Sequence, residues 1–183
     1  MHLDLIDRIR NKEEAALREL MDEYGDLLLR TACLLVRDRQ TAEEAVQDAF
    51  VQAYTKIDQL REREKLKSWL LTITVNRCRM RQRSWSWRNI FPGGGADELP
   101  EAGRNAAAGA DEILLKDWEA GSLTQAVRGL DYLYRESIVL YYFHELTTRE
   151  IAEQLNANES TIKSRLSRGR SLLKNILEKE ERR

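Results

Sequence analysis

Proline constrains this chain more than any other residue. It occurs only twice in 183 residues, at Pro92 and Pro100. Proline removes a backbone donor and breaks a helix interior, so the long stretches on either side of this pair are open to continuous helix. Apolar residues there recur at three- and four-residue steps, without the two-residue alternation of half-buried strands. The expected fold class is therefore all-α. Both prolines lie between residues 92 and 109 with Gly93, Gly94, Gly95, Gly103, Gly109 and a run of alanines, a segment with little to bury. It reads as a flexible linker, dividing the chain into a small helical domain over residues 1–90, a linker over 91–110 and a second small helical domain over 111–183.

In the first block, Leu17, Leu20, Met21, Tyr24, Leu27, Leu28, Leu34 and Leu35 give one or two helices. Ala42, Ala45, Val46, Ala49, Phe50, Ala53, Tyr54 and Ile57 give a longer one, with Thr41 and Glu44 placed as a capping box at its start. A further helix begins at Leu66, Trp69, Leu70 and Ile73 and runs into a basic stretch, whose end is expected to stay outside the bundle. The second block opens with Ile113, Leu114 and Trp118, and Tyr134 to Phe143 reads as one strongly apolar helix. After it, Thr147 and Glu150 form a capping-box pattern on a short helix ending at Leu155. Asn156 is suited to a left-handed turn, and Ser160 is placed to cap a second helix with Ile162, Leu166, Leu172 and Leu173 inward. This is the pattern of a helix-turn-helix.

The net charge of -1 argues against a nucleic-acid partner until the charge is located. Residues 1–60 hold 8 basic and 13 acidic side chains, whereas residues 61–88 hold 9 basic and 2 acidic. Residues 160–175 carry Lys163, Arg165, Arg168, Arg170 and Lys174 with no acid. Two basic patches thus lie on an otherwise acidic chain. Each reads either as a solvated helix face or as a footprint for a polyanion, which feels the local field rather than the net charge.

Other classes find little support. Cys33 and Cys78 have neither the spacing of a metal knuckle nor the number for a disulfide framework. His144-Glu145 lacks the second histidine of a zinc helix, and no phosphate-loop glycine pattern occurs, so no enzyme, cofactor, metal or small-molecule substrate is expected. His144 reads as an end-of-helix residue. No apolar run reaches the roughly 18 residues of a membrane helix, and the start Met1-His2-Leu3-Asp4 lacks a secretory pattern, so a cytoplasmic location is expected. A helix-turn-helix regulator acting alone is an alternative, although the first block shows no strand-helix alternation or acidic pocket for a receiver.

Three motifs together resemble the bacterial extracytoplasmic-function sigma factors: Ala42 to Phe50, Ser68 to Arg77, and Glu150-Ile151-Ala152 through Ser160 to Arg170. The resemblance implies two helical domains, region two and region four, that bind core RNA polymerase and carry it to promoter DNA, with no enzymatic activity. It also implies control by an anti-sigma factor, often membrane-bound. Glu44, Gln47 and Asp48 share one helix edge by spacing, and the resemblance makes that edge the polymerase contact. It makes Asn76, which offers a donor and an acceptor to a base, part of a pocket for a base of the melted -10 element, with 58–65 as its loop. Arg77, Arg79, Arg81 and Arg83 would hold phosphates, and Trp85 and Trp87 could stack on bases, while Trp69 reads as core. Duplex at the -35 element would meet Ser160, Thr161, Lys163, Ser164, Arg165, Ser167, Arg168 and Arg170. The chain departs from the family pattern at Leu130-Asp131, where the family often has Leu-Pro, and at Asn156, which replaces a turn glycine.

Overall fold

The computed structural model describes residues 2–90 and 121–183. The linker, Ile113, Leu114, Trp118 and the side chains of Trp85 and Trp87 lie outside the described residues. Among those described there is no strand, and no helix is long and apolar enough to cross a membrane.

The N-terminal unit consists of α1 (His2–Arg10), α2 (Glu14–Leu35), α3 (Arg39–Lys56) and α4 (Leu66–Ile90), with short 3-10 turns at Ile57–Gln59 and Arg63–Lys65 between the last two. The leucine-rich stretch is one helix, α2, whose buried residues Ala16, Leu20, Tyr24, Leu28 and Ala32 step by four and form a single inward stripe. α3 meets α2 and α4 largely through the small side chains of Ala42, Ala45, Ala49 and Ala53, which let the helix axes approach closely. α3 starts earlier than its capping pattern implies: Asp38 is the cap, accepting from the Thr41 amide at 2.8 Å and the Thr41 hydroxyl at 2.7 Å. Thr41 thus donates to a cap, and Glu44 is left to pair elsewhere. Trp69 is half-buried against the core, Cys33 and Cys78 are buried, and burial pushes the Cys78 thiol up to about 12.

The C-terminal unit consists of α5 (Ser122–Gly129), α6 (Tyr132–Ile138), α7 (Thr148–Leu155) and α8 (Glu159–Glu181). The apolar run expected as one helix ends its α-helical part at Ile138 and widens into a π turn over Val139–Phe143. That turn swings Tyr142 and Phe143 into solvent, where they line an apolar groove with Leu123 and Leu173. α8 packs on α5, α6 and α7 through Ile162 and Leu166, and at Gly169 it comes so close to α6 that an added Cβ would lie 3.1 Å from Ile138 Cγ1. Leu173 is partly buried as expected, but Leu172 is 39% exposed.

The two units touch. α2 packs on α5, α6 and the π turn, and the buried apolar residues of both units form one continuous cluster.

Candidate nucleic-acid interface

The helix-turn-helix is built as its local chemistry dictates. Thr147 and Glu150 satisfy each other's amides: the Glu150 amide donates to the Thr147 hydroxyl at 3.2 Å, and the Thr147 amide donates to the Glu150 carboxylate at 2.8 Å. The Thr147 amide, and the Thr147 hydroxyl at 2.8 Å, hold the Glu150 carboxyl below its usual value. Asn156 adopts φ 50°, ψ 51°, and the Ala157 amide returns to the Ala152 carbonyl at 2.9 Å, closing the turn. α8 then starts at Glu159 after Asn158, so Ser160 lies within its first turn instead of capping it. Glu159 takes over the local contacts, accepting from the Thr148 hydroxyl at 2.7 Å and pairing with Lys163 at 3.3 Å.

With Ile162, Leu166 and Gly169 buried, helical geometry aims Ser160, Lys163, Ser164, Ser167 and Arg168 outward, and all five are exposed. Thr161 is half-buried at one margin. Two arginines flank the stripe rather than crown it. Arg165 is half-buried on the side toward Glu136, and Arg170 lies on the other side, donating to the Tyr142 hydroxyl at 3.2 Å.

The basic patch of α4 divides. Arg77, Arg79, Arg81 and Arg83 are spaced by two, so successive side chains leave the helix about 200° apart. Arg77 and Arg81 turn toward α3: Arg77 donates twice to Gln52 Oε1, at 2.9 and 2.6 Å, and Arg81 bridges Glu44 and Asp48 at 2.7 Å each. Arg79 turns toward the C-terminal unit and donates to Glu136 Oε1 from Nε and Nη2, at 2.9 and 2.8 Å. Three of the four arginines expected to stay outside the bundle, Arg77, Arg79 and Arg81, therefore meet amide and acidic partners on α3 and α6, whereas Arg83 is exposed. Asn76, Met80 and Arg83 form an exposed ridge at steps of four and three.

Beside that ridge is a pocket of about 420 Å³, lined by Asn76, Arg77, Arg79, Met80 and Arg83 with Gln52 and Lys56 from α3. Gln52 and Lys56 escaped the sequence reading, although they continue the four-residue series of Glu44 and Asp48 and could have been found from that spacing. Gln47, on the same edge of α3, is exposed, with Glu44 and Asp48 half-buried beside Arg81. The segment 58–65 is pinned to α1: Arg63 forms a two-bond pair with Asp7 at 2.7 and 2.6 Å, holding the Asp7 carboxyl below its usual value, and Arg10 donates to the Leu60 carbonyl at 3.3 Å.

Polar contacts between described residues cross the seam between the units. Arg79 meets Glu136, Arg128 donates to the Arg37 carbonyl at 2.6 Å, and Thr31 Oγ1 lies 3.0 Å from His144 Nε2. His144 does follow a helical turn, as expected, but its ring reaches across the seam. No spacing in the sequence indicates any of these pairs.

Comparisons with known proteins agree with this architecture. Residues 20–88 match the model of Sigma-70 region 2, and residues 120–173 match Sigma-70, region 4. The chain is 27% identical over 176 residues to the ECF RNA polymerase sigma factor SigW of Bacillus subtilis (strain 168), covering 94% of each. It is 29% identical over 157 residues to SigL of Mycobacterium tuberculosis (strain ATCC 25618 / H37Rv), covering 84% of each. Among solved structures it is similar to the sigma factor RpoE in complex with the anti-sigma factor NepR from Bartonella quintana, with a TM-score of 0.63, 24% identity, and coverage of 88% of this chain and 98% of that one. It is also similar to CnrH in complex with the cytosolic domain of CnrY, with a TM-score of 0.60, 21% identity and 95% of each chain covered. Two family regions in the expected order, on two helical units of which the second is a complete helix-turn-helix, establish that this chain belongs to the ECF RNA polymerase sigma factors.

Proposed function

We propose that this chain is an alternative sigma factor that binds core RNA polymerase and directs promoter-specific initiation. The observation that carries this reading is the exposed stripe of Ser160, Lys163, Ser164, Ser167 and Arg168 on the second helix of a complete helix-turn-helix. That helix can enter a major groove, where Lys163 and Arg165 can donate to guanine and Arg168 and Arg170 can hold phosphates. Residues 111–183 then serve as the -35 module and residues 1–90 as the -10 and polymerase module, joined by 91–110.

In the N-terminal module the Asn76 pocket suits one unstacked base, with Arg83, Arg77 and Lys56 about it to meet phosphates. The Gln47 edge of α3 faces outward as a polymerase contact. Arg81, assigned with the DNA-binding arginines, instead touches the polymerase-binding carboxylates, which ties the two surfaces together. Sigma factors are not in general an enzyme class, and a cytoplasmic setting follows from work on DNA. Control by an anti-sigma factor is supported by the complexes in which similar structures were solved. The apolar groove of about 540 Å³ along the C-terminal half of α8 suits an amphipathic helix of a protein partner.

Transcription in vitro with core polymerase and a library of genomic promoters tests the reading. The expected result is a set of promoter-specific starts absent with core alone; no such starts would overturn it.

A further inference from the structure

Residues 61–65 read Arg61-Glu62-Arg63-Glu64-Lys65, five charged residues in a row. The segment 58–65 is anchored at its ends by the buried side chains of Ile57, Leu60 and Leu66, but nothing apolar lies between Leu60 and Leu66 to be buried. Hydrophobic packing therefore cannot set the conformation of 61–65, and polar contacts have to. Those contacts come from α1. Its buried face is Leu5, Ile6 and Ile9, and helical geometry places Arg8 on one edge of that face and Asp7 with Arg10 on the other. Arg8 pairs with Glu19 of α2 at 2.7 Å. Asp7 and Arg10, 3.5 Å apart, turn to the segment: Asp7 accepts both bonds of the Arg63 guanidinium, and Arg10 donates to the Leu60 carbonyl and lies 3.8 Å from Asp58. α1 is itself fastened to the helix that feeds the segment. Lys12, at φ 62°, donates to the Tyr54 carbonyl at 2.6 Å, and the Tyr54 hydroxyl donates back to the Lys12 carbonyl at 2.8 Å.

We propose that Asp7 and Arg10 are positioning residues for -10 recognition: α1 holds 58–65 in one conformation before promoter DNA arrives, so that the exposed Arg61, Glu62, Glu64 and Lys65 meet the melted strand already arranged. This rests on the reading of 58–65 as the loop of the -10 pocket. An isolated exposed ion pair contributes little, but a two-bond arginine–carboxylate pair joined to further charges is the arrangement in which such contacts do order a segment. Arg63, Asp7, Arg10 and Asp58 form one chain of alternating sign. The Arg63 hydrogen bonds, with the charge of Arg10 behind them, hold the Asp7 carboxyl below its usual value. A segment ordered in advance loses little conformational freedom on binding, whereas one competent for only part of the time binds more weakly by that fraction. α1 lies outside residues 20–88, which match Sigma-70 region 2, so the brace is a feature of this chain beyond the matched region.

The experiment uses the full chain with core polymerase, as wild type, Asp7→Asn, Arg10→Gln and Asp7→Glu. The first two substitutions change the net charge in opposite directions, so a general effect of charge would shift their DNA affinities oppositely, whereas loss of the brace acts on both alike. Run-off transcription from a promoter mapped with the wild-type holoenzyme is compared with that from the same promoter carrying an altered -10 or an altered -35 element. Asp7→Asn and Arg10→Gln are each expected to lose about fivefold in -10 discrimination and to keep -35 discrimination within about twofold. Asp7→Glu, which can still reach Arg63, should stay within about twofold of wild type at both elements. In the free chains, hydrogen exchange follows the Leu60 and Lys65 amides, which donate to the Ile57 and Glu62 carbonyls at 3.0 Å each. These amides should exchange about fivefold faster in Asp7→Asn and Arg10→Gln. Folded variants that keep wild-type -10 discrimination, or whose affinities merely shift in opposite directions, would overturn the proposal, and Arg10→Gln decides if Asp7→Asn does not fold. Wild-type holoenzyme that starts at no promoter would instead refute the sigma-factor reading, while the exchange still reports whether α1 holds the segment.

Discussion

Thr31 and His144 stand 113 positions apart in the chain and 3.0 Å apart across the seam. The Thr31 hydroxyl donates its only proton to the Leu27 carbonyl at 2.8 Å, so the His144 ring is the donor through Nε2. Its Nδ1 is left buried without a partner. A second proton there would have no acceptor, and burial holds the ring down to about 4 from 6.5.

Acid should therefore weaken the fold through His144. Between its folded and unfolded pKa values the unfolded chain binds a proton that the folded chain does not. The stability His144 contributes is thus complete above its unfolded pKa and declines as the pH falls toward its folded one. From about pH 7.5 to about pH 5 the loss is about 2 kcal/mol. Glu136, with a raised pKa, acts in the opposite sense, so the informative quantity is the difference between wild type and His144→Gln, where Glu136 cancels. Urea unfolding at the two pH values should show the variant losing about 2 kcal/mol less; equal losses would contradict the assignment.

Asp48 is 45% exposed and paired with Arg81, a geometry worth at most about 1 kcal/mol. Asp48→Arg should then fold with a stability within about 1 kcal/mol of wild type and fail to capture core polymerase. Full capture by the folded variant would remove this edge from the polymerase interface.

On α8 phosphate-holding and base-reading side chains should separate by their salt dependence. Arg168→Ala is expected to weaken binding at all sequences alike and to reduce the slope of log affinity against log salt by about 0.9, the signature of one phosphate contact. Lys163→Ala or Arg165→Ala should cost about 1–3 kcal/mol at the preferred site and relax its sequence preference, as loss of a base contact does. Titrations of holoenzyme against matched and mutated -35 duplexes distinguish the two outcomes.

The turn at Asn156 makes a prediction about backbone conformation. Its positive φ is accessible to asparagine, free for glycine and strained for a β-branched residue. Asn156→Gly should leave thermal stability unchanged or slightly raised, and Asn156→Val should lower it by about 1–2 kcal/mol. The reverse order in a melting experiment would show that the asparagine side chain, and not its φ, holds the turn.

Local chemistry was enough to read much of this protein from the chain. Apolar steps of three and four, and proline confined to one segment, mark the helices. The Thr147 and Glu150 pair marks the start of α7, and Asn156 marks its end. The two basic clusters and the acidic edge of α3 are equally plain, because each depends on residues within a few turns of one another. Start signals misled where two candidates competed, as with Asp38 over Thr41 and Asn158 over Ser160. Only the tertiary structure decided what the arginines of α4 touch. Helical phase separates Arg77 and Arg81 from Arg79 and Arg83, but the partners of Arg77, Arg79 and Arg81 come from 25 to 57 residues away, through the packing of α3 and α6. The burial of Glu136 and the tautomer of His144 likewise exist only because α2, α4 and α6 meet. A periodic pattern states which face of a helix is polar; which other charge meets that face is a property of the packed molecule.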